Sequence, residues 1–178
     1  MTQQNLESPK AIKIGGVFSY EHIRDGKVID TWEQPNLIVD EGLNYVLNTG
    51  LSSGTKVAGM YVGIYANNYT PIAGNVMSTF PTAGVALETT TEISNATRPA
   101  WSGFTGAMTT SKSLSNSSAP AIFTFTANAD VNGAFLSSTN TKGGTTGTLV
   151  AASKFASTRS MINGDVLSII YTVNISST

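Results

Sequence analysis

VFSYEHIRDGKVIDTWEQ, residues 17–34, is the stretch on which the fold turns. Two runs of alternating apolar and polar side chains flank Asp25-Gly26, a dipeptide that readily takes the positive φ angles of a two-residue type I′ turn. The spacing predicts a β-hairpin. Its first strand pattern is already under way at Ile12, and Pro35 ends the second strand, because proline has no N–H to give to a ladder.

Downstream of the hairpin the period changes once. In NLIVDEGLNYVLNTG (36–50) a short apolar run leads to Asp40, a candidate helix N-cap, and to Glu41, an acid placed where it favours the helix dipole. Leu43, Val46 and Leu47 recur at helical spacing, and Gly50 suits the position just past a helix end. One short helix is expected, about 40–48. Everything beyond it reads as strands and loops. The strands expected are VAGMYVGIYA (57–66, buried), VALETTTEIS (85–94), RPAWSGF (98–104, carrying Trp101), AIFTFTANA (121–129), VNGAFLSS (131–138), TLVAASKFA (148–156) and DVLSIIYTVNIS (165–176). Between them lie a long loop at 67–77 broken by Pro71 and Gly74, a low-complexity loop at 109–119, and the glycine loop TNTKGGTTG. About eight to ten strands with frequent turn signals is the pattern of a sandwich or jelly roll rather than a parallel sheet. The expected architecture is an all-β, jelly-roll-like β-sandwich with one short helix, an N-terminal arm over 1–14 and a single domain over 15–178.

Composition narrows the function. The 178 residues carry a net charge of −1, only 12% of them are charged, and there is no cysteine. A nucleic-acid binder needs a basic face to displace counterions, so that class is set aside. No apolar run reaches the ~20 residues of a membrane span. MTQQNLESPK opens polar with no apolar run behind it, so no secretory leader is expected. The Asn-x-Ser/Thr triplets at Asn68, Asn95, Asn116 and Asn174 are read as chance products of a chain rich in those residues. A surface so poor in charge is open to association with other subunits.

The chemistry-bearing residues do not form an active-site pattern. His22 is the only histidine, and no nucleophile elbow accompanies it. Glu88 and Glu92 have the spacing of a casual carboxylate pair, and the turn positions of Asp25, Asp130 and Asp165 suit turn formation. One histidine, no cysteine and no calcium loop leave no metal set or cofactor to expect. The GGTTGT loop has Lys142 ahead of its glycines, where a phosphate-binding loop needs it behind. No enzyme is expected. Tyr65 and Tyr69, with Asn67 and Asn68, could present rings and amides to a sugar or partner, and Lys142, Gly143 and Gly144 are read as contact surface.

A resemblance gives these features a direction. TRPAWSGF (97–104), FTFTANADVNGAFLSS (123–138), KGGTTGTLVAASKFAS (142–157) and NGDVLSIIYTVNIS (163–176), with RDGKVID…PNLIVDEGLNYVL ahead of them, resemble a family of tailed-phage virion proteins. In that family a strand ending in GAFL leads to a glycine-threonine loop, and a final long strand is introduced by GD. The resemblance implies a capsid cement or decoration protein on the outer shell of a short-tailed phage, made in the host cytoplasm. Its partners would be the major capsid protein and further copies of itself, as dimer or trimer. The alternative it leaves open is a receptor- or carbohydrate-binding module of a tail spike or fibre.

Overall fold

The structure is a computed structural model that describes residues 11–104 and 111–177. The hairpin forms as its sequence requires. Asp25 and Gly26 take φ angles of 50° and 72°, and Arg24 pairs with Lys27 across them. The arms are β1 (Ile12–Arg24) and β2 (Lys27–Pro35). There follow β3 (Leu37–Ile38), helix α1 (Asp40–Leu51), β4 (Tyr61–Tyr65), β5 (Ser113–Ser115), β6 (Ala121–Thr124), β7 (Ala129–Ser137), β8 (Leu149–Met161) and β9 (Val166–Ser177).

These strands make two antiparallel sheets, so the expected all-β sandwich with a single helix is what the chain forms. One sheet runs β2-β1-β9, with β5 and β6 sharing the far edge of β9; the other runs β3-β8-β7-β4. Pairing is nested: β1 joins β9, β3 joins β8, and β4 joins β7. Alternation decides what faces inward. Phe18 and Tyr20 of β1 stand opposite Tyr171 and Ile169 of β9, all four buried. They pack against Val62, Ile64, Ala134, Leu136 and Phe155 from the other sheet. The Phe18 and Tyr171 rings stack with centroids 4.3 Å apart.

The second sheet is buried on both faces. Tyr65, Phe135, Leu149 and Ala152 on its outer side meet Val39, Met77, Phe80 and Ala86, so the 66–86 connection forms a third layer. Burial on both sides fits the apolar run of β4, Tyr61–Tyr65. The outer edge of β4 is covered by chain rather than left open: Thr89 N–H donates to Ile64 O (2.9 Å) and Val62 N–H to Pro99 O (2.9 Å).

Several local expectations are corrected. The segments 85–94 and 98–104 are not strands. Their ladder pairings are single bridges, Tyr65–Glu88, Ile93–Phe125 and Tyr61–Ala100, and Ser102–Phe104 is one 3-10 turn. Pro99 lacks a ladder donor, and Glu88 and Arg98 turn inward to pair with each other. The 109–119 loop contains β5, and β8 runs on to Met161. Helix α1 starts after Val39 without a side-chain cap, so Asp40 is not the capping residue. Neighbouring backbone does that work, since Val39 and Asp40 donate to Val150 O and Ala73 O. Gly50 lies inside the helix, which ends at Leu51 with Ser52 as its C-cap. Its only buried residue is Gly42, where a Cβ would fall on the Val150 carbonyl. The arm expected over 1–14 gives up Ile12–Ile14 to β1, where they pair with residues 175–177; positions 1–10 lie outside the described residues.

Candidate functional site

Glu88, Arg98 and Asp165 are charged residues turned into the interior. Arg98 is fully buried, and all five of its N–H groups find acceptors. Nε and one terminal nitrogen hold Glu88 (2.8 and 2.7 Å), and the rest reach Ser137 Oγ, Thr139 O and Gly144 O. The Gly143 N–H donates to the same Glu88 carboxylate at 2.7 Å, and Lys142 Nζ to Thr90 O at 2.7 Å. The glycine loop is therefore clamped from beneath by a buried ion pair. Glycine is needed where the chain passes, since Gly143 has φ 68°.

A second cluster closes the hairpin end of β1. Asp165, almost completely buried, accepts from Arg24 twice (2.8 and 2.7 Å), from the Ile162 N–H (2.9 Å), and lies 2.7 Å from His22 Nε2. The Arg24 guanidinium first, with Ile162 and His22 adding to it against the cost of burial, holds the Asp165 carboxyl well below the usual carboxylate range. The sequence assigns Asp165 to a turn and His22 to an ordinary strand position; together they are a buried hub. The signal lies in the alternation, because His22 and Arg24 fall on the same face of β1 as Phe18 and Tyr20.

The carboxylates weighed as a catalytic pair share one cleft. Glu88 and Glu92 line it together with Thr89 and Asp130. Glu88 is bound to Arg98. Burial opposes the charge of Glu92, but hydrogen bonds from Thr91 and the backbone of 90–92 outweigh it and keep that carboxyl low. Among the described residues no group of three or more His, Cys, Asp or Glu is placed to hold a metal ion.

The residues expected to meet a partner are divided by the structure. Tyr65 is not displayed on a loop: it is fully buried, its hydroxyl donates to Ser153 O (3.0 Å), and burial pushes it well above the ordinary tyrosine range. It faces the third layer because β4 is covered on both sides. Asn67 is tied to Val85 O and the Leu87 N–H, and the Tyr69 hydroxyl accepts from Asn75 (2.8 Å). Asn68 is exposed. Lys142, Gly143 and Gly144 lie together in the clamped loop.

Several aliphatic side chains are left in water. The core-facing side of β1, β9 and β5 runs on past the opposing sheet. There Ile14 stands opposite Ile175, and Leu114 opposite Val173. Ile14 and Val173 still pack on the core, but Ile12 is 71% exposed, and Leu114 and Ile175 are exposed beside it. Shallow grooves flank Ile12, one lined also by Lys13 and Leu43 and the other by Lys112 and Ile175. Next to this overhang α1 turns Leu43, Val46, Leu47 and Leu51 outward. Helical spacing alone would put those side chains on a buried face, and nothing in the sequence shows that β1 and β9 outrun their partners. Among the described residues no helix is long and apolar enough to cross a membrane.

No protein-family model matches the chain, and no curated protein matches it either.

Proposed function

We propose that the protein is a capsid cement or decoration protein of a tailed phage, bound to the outer shell where major capsid subunits meet. The observation that carries the reading is the apolar overhang at Ile12, Leu114 and Ile175, rimmed by Lys13 and Lys112. The hub and the clamp commit the best-placed acid–base groups to holding the fold, and the surface left over suits contact between proteins. Resemblance to phage virion proteins in the GAFL, glycine-loop and GD segments supports the same conclusion, as does the nested pairing of first strand with last, which a jelly roll would also allow.

The physics of such a role is burial. Covering one Ile or Leu side chain contributes about 1.5–3 kcal/mol. A few such contacts per copy are modest, but copies that each bridge neighbouring subunits reinforce a shell through multivalency. The lysine rim suits a shell surface that sets carboxylates around its apolar residues.

The test is rebinding of purified protein to particles of the phage that encodes it, stripped of this chain. Wild-type protein should saturate at hundreds of copies per particle. The double variant Ile12→Glu/Ile175→Glu should bind far less while keeping its melting temperature, and removal of residues 1–10 measures what the arm adds. Saturation at a few dozen copies confined to the tail would replace this reading with the tail-module one.

A further inference from the structure

A surface helix ordinarily turns its apolar stripe to the core and its charges to water. Helix α1 does the reverse. Only Gly42 is buried; Leu43, Val46, Leu47 and Leu51, at the i, i+3, i+4 and i+8 positions of one stripe, face solvent, Leu47 by 55% and Leu51 by 83%. The helix is held by other means: close approach at Gly42, and the Glu41 carboxylate accepting the Met77 and Leu149 N–H groups at 2.8 and 2.7 Å. Its stripe contributes little to its own domain.

Charge says what covers the stripe. After Glu41 the helix carries no charged residue through Leu51; its polar residues are Asn44, Asn48, Thr49 and Tyr45. A group on a two-fold axis meets its own image, so a charge there repels itself, whereas a foreign partner can be matched with opposite charge. A charge-free stripe can lie across such an axis without that repulsion. Exposed Gly50 permits close approach, and two antiparallel copies set opposite dipole ends side by side. The stripe makes an apolar patch of a few hundred Å², within the range of the largest on ordinary monomers. It is a substantial part of the ~800 Å² per partner of a stable interface.

We infer that α1 is the self-association surface of this protein, pairing antiparallel with α1 of a second copy about a two-fold axis near Leu47. This stands apart from the shell reading: the overhang can bind a capsid whether or not α1 pairs, and rebinding to particles tests the one while sedimentation tests the other.

The experiment is sedimentation equilibrium of the full chain at tens of micromolar, with circular dichroism and melting to confirm folding. The wild type should have twice the monomer mass. Leu47→Glu and Leu47→Lys, at an exposed site, should each remain folded and sediment as monomers. An equimolar mixture of the two should regain the dimer mass, because the introduced carboxylate of one copy would then face the introduced ammonium of the other. A monomeric wild type overturns the inference, as does an assembly that either folded variant leaves intact, or a mixture that stays monomeric. If a charged variant melts early, Leu47→Gln with Leu51→Gln replaces it, and dimer mass retained there overturns the inference equally.

Discussion

Replacing Arg98 by methionine keeps most of the side chain's length and removes its charge and its five donors. The structure says what is left. Glu88, its side chain only 2% exposed, keeps one donor, the Gly143 N–H, and faces no cation; Thr139 O and Gly144 O lose their partner as well. Removing one member of a buried ion pair costs about 3–5 kcal/mol, because the survivor stays desolvated and uncompensated. For a chain of this size each kcal/mol moves the melting temperature by about 2–4 °C, so Arg98→Met should melt about 10 °C below wild type. The double variant Arg98→Met/Glu88→Leu strands no charge and should recover part of the loss, giving a coupling energy of at least about 1 kcal/mol in a double-mutant cycle. Urea unfolding monitored by circular dichroism measures both, and amide exchange at Gly143 and Gly144 should accelerate in the single variant, whose loop has lost its clamp. A single variant within about 1 kcal/mol of wild type, or a double variant whose cost equals the sum of the two singles, would refute the claim that the pair is buried and coupled.

Four further outcomes follow from other contacts. Asp165 has a depressed carboxyl in the folded state, so its stabilisation is present above the ordinary aspartate value near ~3.9 and is lost as pH falls below it; the stability gap between wild type and Asp165→Asn, read from urea midpoints, should be wide at neutral pH and narrow through that acid window. Asn116 is fully buried and acts as a rung of the ladder, Nδ2 donating to Ile169 O (3.1 Å) and Oδ1 accepting the Tyr171 N–H (2.7 Å); Asn116→Ala leaves both strand groups unpaired and should cost about 2–4 kcal/mol by chemical denaturation. Gly42→Ala sets a methyl against the Val150 carbonyl and should cost about 1–3 kcal/mol, seen as a lower thermal midpoint with the helix displaced. Spectrophotometric titration should find Tyr20, Tyr65 and Tyr171 resisting ionisation until the chain unfolds in alkali, since burial raises all three.

The sequence alone determined what is local. Asp25-Gly26 between alternating runs specifies a hairpin because few other dipeptides take those φ angles cheaply, and the apolar run over 57–66 declares a buried strand. The helix was legible from its spacing, yet its orientation was not: periodicity shows that Leu43, Val46 and Leu47 share a side, while which side meets the core depends on what stands across from it. Only the tertiary structure decided that Gly42 faces Val150, that Arg98 meets Glu88 under the glycine loop, that Asp165 gathers His22 and Arg24 from across a sheet, and that Ile12 and Ile175 outrun their cover. Those pairings join residues far apart in the chain, and their energies come from burial and from satisfying charge in three dimensions, which no window of neighbouring residues records.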